Sequence, residues 1–81
     1  MKYIATFFSH FGAIRFNNNC RKKDISAKLM PVPRTISSSC GTCVRYECND
    51  YSLGEIIPEE VEQIVEVSAD GYKECYRAEN S

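Results

Sequence analysis

Two prolines set the strongest constraint on this chain. In Leu29-Met30-Pro31-Val32-Pro33-Arg34, neither Pro31 nor Pro33 can donate a ladder hydrogen bond, so regular strand pairing has to fail there. An apolar stretch, Ala27–Met30, must therefore run out into a loop, and that loop reads from Pro33 to Gly41. It carries Arg34, the run Ser37-Ser38-Ser39, and then Cys40-Gly41-Thr42-Cys43. Regular alternation resumes over Thr42–Cys48, with Val44, Tyr46 and Cys48 on one face of a strand.

The flanking segments predict the remaining elements. Tyr3–Phe8 is apolar and aromatic and reads as a buried strand. Ser9 offers an N-cap, and Ala13, Phe16 and Cys20 recur at helical spacing in a helix running to about Lys23. Arg21, Lys22 and Lys23 fall in its last turn, where cations complement the dipole. Asn49–Gly54 is turn-rich. Pro58 followed by Glu59, Glu60 and Glu62 suits a helix N-terminus, with Val61, Ile64, Val65 and Ser68 as its buried stripe and Asp70-Gly71 as its end. Tyr72–Arg77 reads as a last strand. The order β-α-β-β-α-β predicts an α+β fold of ferredoxin-like, split β-α-β type: an antiparallel four-stranded sheet in the order 4-1-3-2, with two helices on one face.

At 81 residues the chain has room for one domain, read as spanning 1–81, and none for a cofactor domain or a deep cleft. No apolar run reaches membrane-spanning length. The N-terminal run is cut by Ser9, His10 and Arg15 without a small-residue cleavage motif, unlike a signal peptide. Five cysteines, an odd number, do not suit a closed disulfide framework and point to a reduced, cytoplasmic protein. The net charge of −1 hides a division: residues 1–45 carry +7 and residues 46–81 carry −8. Either the first half handles an anion or thiolate, or the halves attract each other in the fold. Without an overall basic excess or an aromatic–basic RNA-binding motif, neither nucleic acid nor membrane is an expected partner.

The predicted topology brings the end of strand 1, the start of helix 1 and the loop between strands 2 and 3 to one end of the sheet. Cys40 and Cys43 would face the positive end of the helix, with Arg34 and Arg45 close by, each influence favouring a thiolate. Arg34, His10, Gly41 and the amides and hydroxyls of Ser38 and Ser39 are the candidates for stabilising that sulfur or an anion on it. Cys20, Cys48 and Cys75 read as small buried hydrophobes. C-x-x-C also fits a dithiol redox pair or half of a metal site, but a zinc or iron–sulfur site needs further ligands, and only His10 is at hand within the chain. No cofactor or resident metal is expected. A docking or regulatory domain is a further alternative, and an exposed strand edge could pair with a second copy to give a homodimer.

The block Leu29-Met30-Pro31-Val32-Pro33-Arg34-Thr35-Ile36-Ser37-Ser38-Ser39-Cys40-Gly41 resembles the hallmark of the Se/S carrier protein-like family of small bacterial and archaeal proteins. The stretch from Ser9 through Ala13 to Ile25 also fits, so the resemblance covers about residues 3–46, while the acidic half matches in outline. It implies a carrier rather than an enzyme with its own turnover, holding sulfur or selenium on Cys40 and passing it from a cysteine-desulfurase-type donor to an acceptor enzyme. In the family pattern the position of Cys43 is often aliphatic. Here it is a cysteine, which leaves open whether Cys40 and Cys43 act as a pair. The pattern gives Cys48 and Cys75 no role.

Overall fold

The computed structural model describes residues 1–79. Six elements follow one another: β1 (Lys2–Phe7), α1 (His10–Lys22), β2 (Ser26–Pro31), β3 (Thr42–Glu47), β4 (Val61–Ser68) and β5 (Gly71–Arg77). The five strands form one antiparallel-paired sheet in the order β2-β3-β1-β4-β5, and α1 is the one helix among the described residues.

The first half follows its local signals. The Ser9 side chain accepts from the Gly12 N–H at 3.2 Å and so caps α1. Ala13, Phe16 and Cys20 turn toward the sheet and are buried. They meet Tyr3, Ala5 and Phe7 of β1 and Val44 and Tyr46 of β3. Phe16 lies between Phe7 and Tyr46, with ring centroids 5.4 and 5.1 Å away. β1 is central and buried on both faces, so its near-continuous apolar run has a place to go on each side.

The second half departs from expectation. The predicted ferredoxin-like arrangement of four strands and two helices is replaced by five strands and one helix, because Val61–Ser68 is a strand. The order β2-β3-β1 matches the expected 4-1-3-2 as far as strand 1, but the next neighbour is β4, and the last strand pairs outside it. A bulge produced the misleading periodicity. β4 pairs with β1 as Ala5↔Ile64 and Thr6↔Gln63, then skips to Phe7↔Val61, leaving Glu62 as an extra residue. That insertion puts Val61 and Ile64, three apart, on the same face toward α1, whereas Val65 faces the opposite side with Ile4. Apolar residues at i, i+3 and i+4 thus belong to two faces of a kinked strand rather than one stripe of a helix. β-Branched Val61, Ile64, Val65 and Val67 suit the strand. Ala69 and Asp70 form a two-residue hairpin connection into Gly71, whose φ of 126° needs glycine. Pro58 opens a single turn, its carbonyl accepting from the Val61 N–H at 3.1 Å.

The division of charge is partly answered by contacts between the halves. Arg15 pairs with Glu60 at 3.0 Å and Lys23 with Glu55 at 2.7 Å, tying α1 to the segment before β4. Both pairs are solvent-exposed and hold position more than they add stability.

Candidate functional site

Pairing of β2 with β3 ends at Pro31↔Thr42, and one further bond, from the Val32 N–H to the Gly41 carbonyl at 3.1 Å, closes the base of the loop. Gly41 has φ 74° and open space where a Cβ would stand, so its conformation rather than crowding calls for glycine. Inside the loop the Ile36 N–H donates to the Pro33 carbonyl at 3.0 Å. This turn drives Ile36 onto the helix-free face of the sheet, where it is buried against Ile4, Cys43 and Val65. Ile36 thereby anchors the middle of the loop to the sheet.

Cys40 and Cys43 come out in different places. Cys40 is half-buried, packs against the fringe of the helix-side core, and its thiol donates to the Thr42 carbonyl at 3.3 Å. Cys43 is fully buried in the cluster under Ile36, its Sγ 3.7 Å from the Pro31 carbonyl. Burial, with a smaller contribution from Cys40, pushes the Cys43 thiol up to about 11, which leaves it protonated near neutral pH. Thr42 and Cys43 are consecutive strand residues, so Cys43 takes the face opposite α1 by simple alternation.

Among the residues expected around the sulfur, His10 does come near: its Nδ1 lies 3.2 Å from the Thr42 hydroxyl. It meets the residue whose carbonyl holds the Cys40 thiol. Arg34 is exposed on the loop. Arg45 stands on the helix-free face, opposite Lys28 and Ile4, the face of Cys43 rather than of Cys40. The Ser38 hydroxyl oxygen is buried and without a hydrogen-bond partner. Ser39 is fully engaged: its N–H donates to Glu62 Oε1 and its hydroxyl to Glu62 Oε2, both at 3.0 Å. The first turn of α1 is occupied as well. The Glu60 stem lies so close to Gly12 that a Cβ there would be 2.7 Å from it, and the Glu60 carboxylate pairs with Arg15.

Glu62 was invisible as a site residue in the sequence. It reads there as one of several acids at a helix start, and only the bulge and its cross-strand register bring it to the loop. The other three cysteines lie away from the loop. Cys20 is buried in the helix-side core and pushed up to about 11, chiefly by burial. Cys48 and Cys75 are half-buried at the edges of that core, with Cys75 raised mainly by burial and then by Glu66. All five thiols are free. Among the described residues no three His, Cys, Asp or Glu side chains gather closely enough to hold a metal ion, and no helix is long and apolar enough to cross a membrane.

The family described as "Putative Se/S carrier protein-like" matches residues 2–77, and the chain belongs to it. The match takes in β1 through β5. No curated protein and no solved structure matches.

Proposed function

We propose that this protein carries sulfane sulfur or selenium on Cys40. The observation that carries the reading is the contrast between its two neighbouring thiols. Cys40 is reachable at the end of a loop beside side-chain-free Gly41, whereas Cys43 is sealed in the sheet and held as a thiol. The Cys40 thiolate attacks the outer sulfur of a donor persulfide, R–S–SH. The donor S–S bond breaks as a new S–S bond forms to give Cys40–S–SH, and the departing donor thiolate takes up the proton that Cys40 gave up, leaving as R–SH. Transfer to an acceptor thiol repeats the exchange, and no net oxidant is consumed. Selenium follows the same path with R–S–SeH. A cysteine-desulfurase-type enzyme is the matching class of donor, the acceptor is an enzyme that consumes the terminal atom, and five free thiols suit a cytoplasmic setting.

A dithiol–disulfide cycle has less support. Cys40 and Cys43 pack into clusters on opposite faces of the sheet, and pairing them asks Cys43 to leave the cover of Ile36.

The test is loading. Reduced protein is incubated with a cysteine desulfurase and cysteine or selenocysteine, then weighed intact. A sulfur or selenium adduct is expected on wild type and absent from Cys40→Ala. No adduct on wild type, or an undiminished one on Cys40→Ala, would falsify the proposal.

A further inference from the structure

The Ser39–Glu62 contact is unusual in what it occupies. Both hydrogen-bond donors of the residue directly before Cys40 point at one carboxylate, each at 3.0 Å. They belong to the chain neighbour of Cys40, so once released they lie on the same short stretch of loop as a terminal anionic sulfur there. The Cys40 thiol meanwhile donates a hydrogen bond to the Thr42 carbonyl at 3.3 Å. Glu62 does not reach this position by accident of a flexible surface. It is the extra residue of the bulge between Val61 and Gln63, a device that re-aims a side chain, and its own carbonyl is fixed by the Ala78 N–H at 3.0 Å.

We propose that Glu62 is a positioning residue that latches the Cys40 loop in a resting state. Closed, the latch withholds the Ser39 N–H and hydroxyl and ties the residue before Cys40 to β4. Open, it frees two donors for the sulfur or selenium that Cys40 carries. A docked protein partner that offers a cation or hydrogen-bond donor to Glu62 would open it, so loading becomes linked to encounter. The other titratable groups around the loop include His10, reaching in through Thr42, buried Cys43, exposed Arg34, and Tyr72, Glu74 and Arg77 of β5, which line one cavity with Thr35, Ile36 and Ser37. None of them touches the Ser39 donors, which belong to Glu62.

The latch takes its purpose from the carrier reading, but its test is independent of any donor. Cys40 alkylation by iodoacetamide is followed by peptide mapping across pH in wild type, Glu62→Ala and Glu62→Gln. Glu62→Ala is expected to alkylate about tenfold faster near neutral pH, because the segment before Cys40 is no longer tied to β4. Glu62→Gln, which keeps the reach and one acceptor but loses the charge, should fall between. Cys43 labelling should not change, which separates release of the latch from loosening of the fold. Unchanged Cys40 rates, or Cys40 and Cys43 accelerating together, overturn the proposal. Should both variants fail to fold, wild-type protein decides by NMR: the Ser39 amide is expected to be protected from hydrogen exchange by its bond to Glu62, and exchange as fast as in an open loop overturns the latch. Failure of enzymatic loading alongside a tenfold faster Glu62→Ala would remove the carrier reading and leave the latch standing.

Discussion

At Cys40 the chain has left the sheet: the thiol is half-buried, its hydrogen bond goes to a carbonyl two residues on, and its neighbour Ser39 is held by an exposed carboxylate. Three residues later, at Cys43, the chain is inside a ladder with β1 on one side and β2 on the other, and the thiol is covered by Ile36. The two residues share one chemistry and one stretch of chain. What separates them is the step from Gly41 to Thr42, where strand pairing begins. A thiol takes its reactivity from whether its charged form can be solvated, and the sheet decides that more sharply than any single neighbouring charge. The C-x-x-C spelling therefore hides two unlike sites, a half-buried position on the loop and a packed one in the core.

The largest effect expected from this contrast is in labelling. With native protein near pH 8 and a small alkylating agent, Cys43 should react at least about a hundredfold more slowly than Cys40, since its thiolate fraction is suppressed by burial and its access needs local opening. Peptide mapping over time reads the ratio. Comparable rates would mean that the cluster under Ile36 is open in solution, and the distinction between the two regions would disappear.

Much of the loop was legible in the sequence, and the reasons are local. The ladder runs out at Pro31, short of Pro33, and Ser9 caps a helix from its own position; Cys43, expected beside Cys40 at the positive end of the helix, instead takes the opposite face, because alternation from Thr42 sets it on the side away from Val44 and Tyr46. The second half was misread because its signal is not local. Whether Val61 and Ile64 share a face through a helical turn or through a bulge is decided by how β4 registers against β1, more than fifty residues earlier in the chain. The same register carries Glu62 to Ser39, so the helix assignment and the missed site residue are one error. Arg45, expected close to Cys40 and Cys43 at the helix start, stands instead on the helix-free face, because strand alternation sets it opposite Ile4 and Lys28.

Ile36 joins the two regions, since it belongs to the loop and covers the core beneath it. Ile36→Ala should cost about 2–4 kcal/mol of stability, the usual range for such a truncation in a packed site. It should also raise Cys43 labelling about tenfold while leaving Cys40 accessible. Denaturant melts and the same peptide mapping check both parts. A large loss of stability with Cys43 still as slow as in wild type would show that Ile4 and Val65 seal it without help from the loop.

The smallest effect concerns pH, and its sign follows from the buried thiol. An unfolded cysteine titrates near about 8.5, whereas folding raises Cys43 to about 11. The folded state thus holds this proton more tightly. Its contribution is fully present below the unfolded value and drains away as pH climbs through the interval up to about 11, because only the unfolded chain gains by ionising there. Cys20, also pushed up to about 11, acts in the same direction, and buried Tyr46 is raised too, so the wild-type curve should fall through this window from several sources at once. Cys43→Ala removes one of them. Relative to wild type, its unfolding free energy should start lower at pH 7 by about 1 kcal/mol for the lost packing. It should then decline less steeply above pH 9, so the two curves converge. Parallel curves would mean that Cys43 can ionise in place, and that the sheet protects it less than its burial indicates. Convergence would locate the contrast between loop and ladder in the stability of the protein as well as in the rates of its thiols.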